Sequence, residues 1–97
     1  MIQKQDIKMD VKFSKKFKKQ YNKASLKIKS EFDIRLKLLL HDQFHPLLNN
    51  HSLTGNLKGY RSINITGDWR AIFSEYEGQD KKVVVFEMLG THSELYG

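Results

Sequence analysis

The sequence predicts an α+β fold with the order β-α-α-β-β-β, a small twisted antiparallel sheet carrying a two-helix hairpin on one face. Three observations lead there. Apolar residues alternate with polar ones near the start, recur every three or four residues through the next third, and then return to β-branched and aromatic runs separated by glycine-containing turns. Helices grouped before a run of strands give a layered α+β arrangement rather than a parallel α/β one.

Each element follows from its own residues. From Lys8 to Ser14, Met9, Val11 and Phe13 share one side, which is the period of a half-buried strand. Ser14 then offers a hydroxyl to cap a helix, and Phe13, Phe17 and Tyr21 recur at every fourth position. Lys15, Lys16, Lys18, Lys19 and Lys23 occupy the remaining turns, so this helix has a basic outer surface. Ser25 is a second cap. Ile28, Phe32, Leu36 and Leu39 then set the buried face of a longer helix, which has ended before Pro46. A short connection makes the pair antiparallel. Leu57 to Thr66, Trp69 to Glu77 and Lys82 to Met88 read as three strands of a meander, with turns at Thr66-Gly67-Asp68 and Glu77-Gly78-Gln79-Asp80. Along the first of these, Ser62, Asn64 and Thr66 alternate with Arg61, Ile63 and Ile65. A row of small polar residues predicts a solvated face, or one that lines a cleft.

Composition narrows the function. The 97 residues suit a single domain spanning 1–97, and 39% apolar content is too high for a disordered chain. There is no cysteine, which excludes disulfides, thiolate catalysis and thiolate-bound zinc. The first ten residues lack the apolar core of a signal peptide, and no apolar run, Leu38-Leu39-Leu40 included, exceeds the four residues of Val83-Val84-Val85-Phe86, so a cytoplasmic protein without a membrane segment is expected. The net charge of +6 is uneven. Residues 1–40 hold twelve Lys/Arg against four Asp/Glu, a balance of +8, whereas residues 41–97 carry −2. A basic half favours a polyanionic partner, nucleic acid or an acidic protein, although a solvated lysine-rich helix surface is the ordinary alternative.

The second half contains the chemistry. RNA is cut without metal when a base takes the 2′-hydroxyl proton and an acid protonates the leaving 5′-oxygen, while cationic donors stabilise the charge on phosphorus. Histidine exchanges protons near neutral pH, and the arginine fork matches phosphate oxygens. His51, Arg61, Asp68, Arg70 and His92 supply these groups, and Tyr96 adds a phenol. Each also has a plainer reading. The histidines suit an ordinary surface, Asp68 a turn, Arg61 and Arg70 cross-strand pairs with Glu75 or Glu87, and Tyr96 a core anchor. Trp69 and Phe73 are expected in the core. The four histidines lack a pattern such as His-Glu-x-x-His, so neither a metal nor another cofactor is expected.

The run His51-x-Leu-x-Gly55, Gly59-Tyr60-Arg61, Gly67-Asp68-Trp69 and Phe73, followed by Gly90-Thr-His92-Ser-Glu-Leu-Tyr96-Gly, resembles the RelE/YafQ-like toxins of bacterial type II toxin–antitoxin systems. The resemblance is densest over residues 51–97 and extends more loosely to the start. It implies a RelE-like fold and a ribosome-dependent endoribonuclease that cuts mRNA and is neutralised by a cognate antitoxin. It also implies that His51, Asp68 and His92 act in catalysis, that Arg61 and Arg70 correspond to family arginines, and that Tyr96 is the C-terminal aromatic. The basic residues Lys15, Lys16, Lys18, Lys19 and Lys23, with Asn64, are expected to contact RNA or the ribosome. Asn64 departs from the pattern, which often has histidine there. An amide orients a phosphate or base but does not exchange a proton near neutral pH. A second class of function is therefore a non-cutting member that occupies the ribosome or an antitoxin. A DNA-binding role ranks below both, because no helix-turn-helix signature accompanies the basic helices.

Overall fold

The computed structural model describes residues 9–97, of which the first element is a strand, β1 (Met9–Phe13). Lys8, the first residue of the strand expected from sequence, lies outside the described residues. Ser14 ends the strand and caps α1 (Lys15–Lys23), its hydroxyl accepting the Phe17 N–H at 3.0 Å. The same hydroxyl donates to the Glu87 carbonyl at 3.0 Å, so one side chain both starts the helix and ties it to the sheet. Ser25 caps α2 (Leu26–His41) by accepting the Ile28 N–H at 3.2 Å. Both caps are as the sequence predicts.

A 3₁₀ turn at Pro46–Leu48 leads to β2 (His51–Ser52), and a second at Gly55–Leu57 leads to β3 (Arg61–Asn64). β4 (Trp69–Glu77), β5 (Lys82–Thr91) and a short terminal helix, α3 (His92–Tyr96), complete the chain. The sheet has five strands in the order β1-β5-β4-β3-β2. β2 to β5 form antiparallel pairs, but β1 runs parallel to β5, from Met9 opposite Lys82 to Phe13 opposite Phe86. The sheet is therefore mixed rather than wholly antiparallel. The two helices carry the chain over one face, and such a crossover allows a parallel pairing that no tight hairpin could make.

Packing explains why β1 takes this edge. The Phe13 ring stacks on Phe86 with centroids 5.9 Å apart and on Phe17 at 5.3 Å, and Phe32 meets Phe86 edge-on at 5.1 Å. Phe17, Ile28, Phe32 and Leu39 from the helices are buried with Ile63, Ile65, Ala71, Phe73, Val84, Phe86 and Leu89 from the sheet side. Each large side chain so buried contributes about 1.5–3 kcal/mol. Leu36 is only partly buried, and Trp69 packs at the margin of this core. β5 bulges opposite the Ile72–Phe73 step, where Met88 pairs with Ile72 and Phe86 with Phe73. Glu87 is skipped, and its carbonyl is the one that Ser14 takes.

The other face of the sheet, expected from the row Ser62, Asn64 and Thr66 to be solvated or to line a cleft, is largely covered. Ser62 and Ile72 are fully buried there, and Asn64 and Thr66 are half-buried. The cover comes from α3, whose Tyr96 hydroxyl reaches Ser62. Among the described residues, no helix is long and apolar enough to cross a membrane.

Candidate functional site

His51 sits on the two-residue edge strand β2, opposite Ser62 in register. The loop before it is held from two directions. Asn49 is left-handed (φ 45°), and its carbonyl meets His51 Nδ1 at 2.8 Å. A carbonyl can only accept, so in the neutral ring Nδ1 carries the proton and Nε2 keeps its lone pair. Asn50 accepts from Arg61 Nε through Oδ1 at 2.8 Å and donates through Nδ2 to the Gln43 carbonyl at 2.9 Å.

Arg70 lies at the start of β4, paired with Asn64 on one side and Gly90 on the other. Its Nη1 donates to the carbonyls of Thr66, Gly67 and Trp69 at 3.0, 3.2 and 3.0 Å, which fixes the guanidinium against the β3–β4 turn. That turn is built by Thr66, whose hydroxyl accepts the N–H groups of Asp68 and Trp69.

His92 is the first residue of α3, and its N–H donates to the Asp68 carbonyl at 2.9 Å. Thr91 and Glu94 form a capping box, the Thr91 hydroxyl taking the Glu94 N–H and the Glu94 carboxylate the Thr91 N–H. The Thr-x-x-Glu spacing is a legible helix start in the sequence that the strand reading passed over. The His92 and Tyr96 rings lie one turn apart with centroids at 4.7 Å, and Tyr96 Oη donates to Ser62 Oγ at 2.9 Å.

These elements enclose a cleft of about 340 Å³ lined by Asn49, His51, Leu53, Arg70, His92 and Tyr96. Four of the six residues singled out from sequence for catalysis thus converge. Asp68 contributes its carbonyl to the helix start, while its exposed carboxylate stands at the turn and does not line the cleft. Arg61 is drawn away. It shares the parity of Ile63, on the helix side of β3, with its guanidinium on Asn50 and 5.7 Å from the centre of the Phe44 ring. Arg61 registers with Phe73, which faces the helices, whereas Arg70 registers with Asn64 on the cleft side, so the two arginines expected to clamp phosphate stand on opposite faces. The cross-strand alternative is not realised either. Among the described residues neither arginine pairs with a carboxylate, and Glu75 faces Lys82 at 3.6 Å instead.

Asn64 is half-buried, with its Oδ1 shielded from solvent and without a hydrogen-bond partner. Lys15, Lys16, Lys18, Lys19 and Lys23 are exposed on α1, which packs on the face of the sheet opposite α3, so the basic helix and the cleft are separate surfaces. A more apolar groove of about 400 Å³ lies on that helix side, lined by Phe13, Phe17, Tyr21, Phe32 and Leu36 among others. It contains no histidine or arginine. Among the described residues, no three His, Asp or Glu side chains converge as a metal site. The sequence reading missed Asn49, Asn50 and Leu53. The tandem asparagines before His51 were a usable signal, since asparagine tolerates the left-handed region.

The family profile described as "Bacterial toxin of type II toxin-antitoxin system, YafQ" matches residues 5–97. Among solved structures, YafQ from E. coli strain BL21(DE3) is similar over 93% of this chain and 100% of its own, at 26% identity and a TM-score of 0.74. The YafQ-containing E. coli DinJ–YafQ toxin–antitoxin complex is matched over 94% of this chain and 100% of that one, at 27% identity and a TM-score of 0.72. A YoeB/ParE toxin from Agrobacterium tumefaciens shares the fold at 15% identity and a TM-score of 0.72, over 87% of this chain and 99% of its own. No curated protein sequence matches significantly.

Proposed function

The chain belongs to the YafQ family of toxins of bacterial type II toxin–antitoxin systems, and on that premise we propose that it is a cytoplasmic endoribonuclease, a single toxin domain over residues 1–97 that cleaves mRNA on the ribosome. The observation that carries this reading is the convergence of two imidazoles, a guanidinium and a phenol on one cleft. Neither a structural core nor a simple docking surface requires that combination.

The chemistry follows from the geometry of each group. His51 presents Nε2 as the basic nitrogen, because Nδ1 is committed to the Asn49 carbonyl. It takes the 2′-hydroxyl proton, and the 2′-oxygen attacks phosphorus. His92, entering protonated, gives its proton to the 5′-oxygen as the P–O5′ bond breaks. The products are a 2′,3′-cyclic phosphate and a 5′-hydroxyl. Arg70 neutralises the phosphorane oxygens with the donors that its carbonyl contacts leave over, and it is already oriented when substrate arrives. Asp68 fixes the start of α3 and adds negative charge near the imidazolium of His92. Asn64 contacts RNA beside Arg70, and Arg61 holds the loop that carries His51. No step draws on a metal or other cofactor.

The lysines of α1 supply a second surface for ribosomal RNA, giving affinity without sequence choice. The E. coli DinJ–YafQ complex holds a similar toxin with its antitoxin. For this chain we propose a cognate antitoxin whose acidic segment covers basic surface or displaces catalytic groups, in keeping with the +8 balance of residues 1–40. Induced expression followed by primer extension on a translated mRNA tests the reading. Cuts that appear with the wild type, vanish with His92→Ala and vanish when antitoxin is co-expressed are expected. A wild type that makes no cuts while still binding ribosomes favours the non-cutting module, for which Asn64 in the place of a proton carrier is the specific observation.

A further inference from the structure

The terminal helix is too short to hold itself. Five residues fall well below the length at which an isolated helix persists in water, about 12–15 residues. Its position must come from tertiary contacts, and these are few. At its start the His92 N–H meets the Asp68 carbonyl. In its middle, Leu95 closes over Gly90, where a Cβ would lie 3.4 Å from the leucine. At its end, Tyr96 Oη donates to Ser62 Oγ at 2.9 Å.

Ser62 is fully buried, whereas Tyr96 is 36% exposed. A buried serine hydroxyl without a partner is costly, so the phenol both satisfies Ser62 and is fixed by it. The tyrosine ring in turn lies against the His92 imidazole, centroids 4.7 Å apart at 60°. Ser62 is also the register partner of His51, so one residue of β3 touches the frame of both imidazoles.

We propose that Ser62 is a positioning residue for His92. Through the Tyr96 hydroxyl it sets the turn of helix on which the imidazole is carried, and Tyr96 serves as a strut rather than a proton carrier. The phenol proton is engaged by the Ser62 hydroxyl at 2.9 Å and so points into the sheet. The claim that His92 acts in cleavage rests on the proposed function, while the Ser62–Tyr96–His92 linkage rests on the geometry alone.

The test uses the whole protein in four forms: wild type, Ser62→Ala, Tyr96→Phe and the double variant. Ser62→Ala keeps the aromatic ring entire, so it separates positioning from a role of the ring in contacting RNA. Proton NMR of the isolated protein should show close contacts between the His92 and Tyr96 rings in the wild type. These weaken in both single variants, and amide exchange over residues 92–96 rises about five- to tenfold, as the loss of one neutral hydrogen bond implies. In single-turnover cleavage on the ribosome, the rate at saturation falls about tenfold with unchanged half-saturation, and the double variant is no slower than the slower single one. Unaltered ring contacts and exchange in Ser62→Ala overturn the linkage. Altered contacts with an undiminished rate overturn the positioning role. If the wild type does not cut RNA, the proposed function fails, and the NMR comparison alone then decides the linkage.

Discussion

Arg61 Nε donates to Asn50 Oδ1 across 2.8 Å, one residue before His51. The arginine stands on the helix side of β3, yet through this bond it steadies a histidine that lines the cleft at the sheet edge. Replacing Arg61 with glutamine should therefore slow cleavage about tenfold while leaving the salt dependence of RNA binding as it was. Stability should fall by about 1.5–3 kcal/mol, the usual worth of a charged hydrogen bond. Urea unfolding beside a binding titration checks both. A variant whose RNA affinity loses one phosphate contact's worth of salt dependence would return Arg61 to the role of a clamp.

His92→Ala should lower the cleavage rate by about 10²–10⁴, the range for a lost general acid. The helix should survive, because the contact with Asp68 runs through the His92 main chain. Antitoxin binding and the thermal midpoint, measured on the same preparation, should stay close to wild type. Asn64→His is the complementary probe, with activity expected to hold or rise if the position faces the scissile phosphate.

Lys15, Lys16, Lys18, Lys19 and Lys23 are exposed on the face away from the cleft. Changing three of them to glutamine should weaken ribosome binding and reduce its slope against salt by up to about three charges' worth. The cut positions on mRNA should not move, because phosphate contacts read no sequence. A changed cutting pattern with unchanged affinity would refute the separation of the two surfaces.

Thr91 caps α3 through its hydroxyl. Thr91→Ala should cost about 1 kcal/mol, confined to the helix it caps. Hydrogen exchange should report faster opening over residues 92–96 and little change in β4 or β5.

The Tyr21 phenol is pushed above its ordinary value, first by burial of its ring and then by its bond to the Asp33 carboxylate at 3.0 Å. A raised value in the folded state means that the neutral phenol is favoured by folding. Its contribution is fully present below about pH 10 and is lost as pH rises through the folded value. Tyr21→Phe should remove the bond to Asp33 and lower stability modestly at neutral pH while flattening the loss of stability in that alkaline window, as denaturant midpoints across pH would show.

The local elements were legible from residues close to one another in the chain. Ser14 and Ser25 were readable as caps because a hydroxyl before an apolar period acts within three residues, and Phe17, Phe32 and Phe73 were readable as core because period and burial are coupled within one element. His51, Arg61, Asp68, Arg70, His92 and Tyr96 were readable as a set because their residue types suit proton transfer and phosphate binding, and four of them line the cleft. Which of them meet depends on long-range packing. β1 joins β5 in parallel through aromatic contacts about seventy residues apart in the chain, which no local pattern encodes. Arg61 and Arg70 look alike in sequence, but strand parity sends one to the helix side and one to the cleft. For Ser62 the row of small polar residues allowed a solvated face or a cleft wall, and its burial under Tyr96 depends on a five-residue helix that is fixed by contacts with the sheet and not by its own propensity.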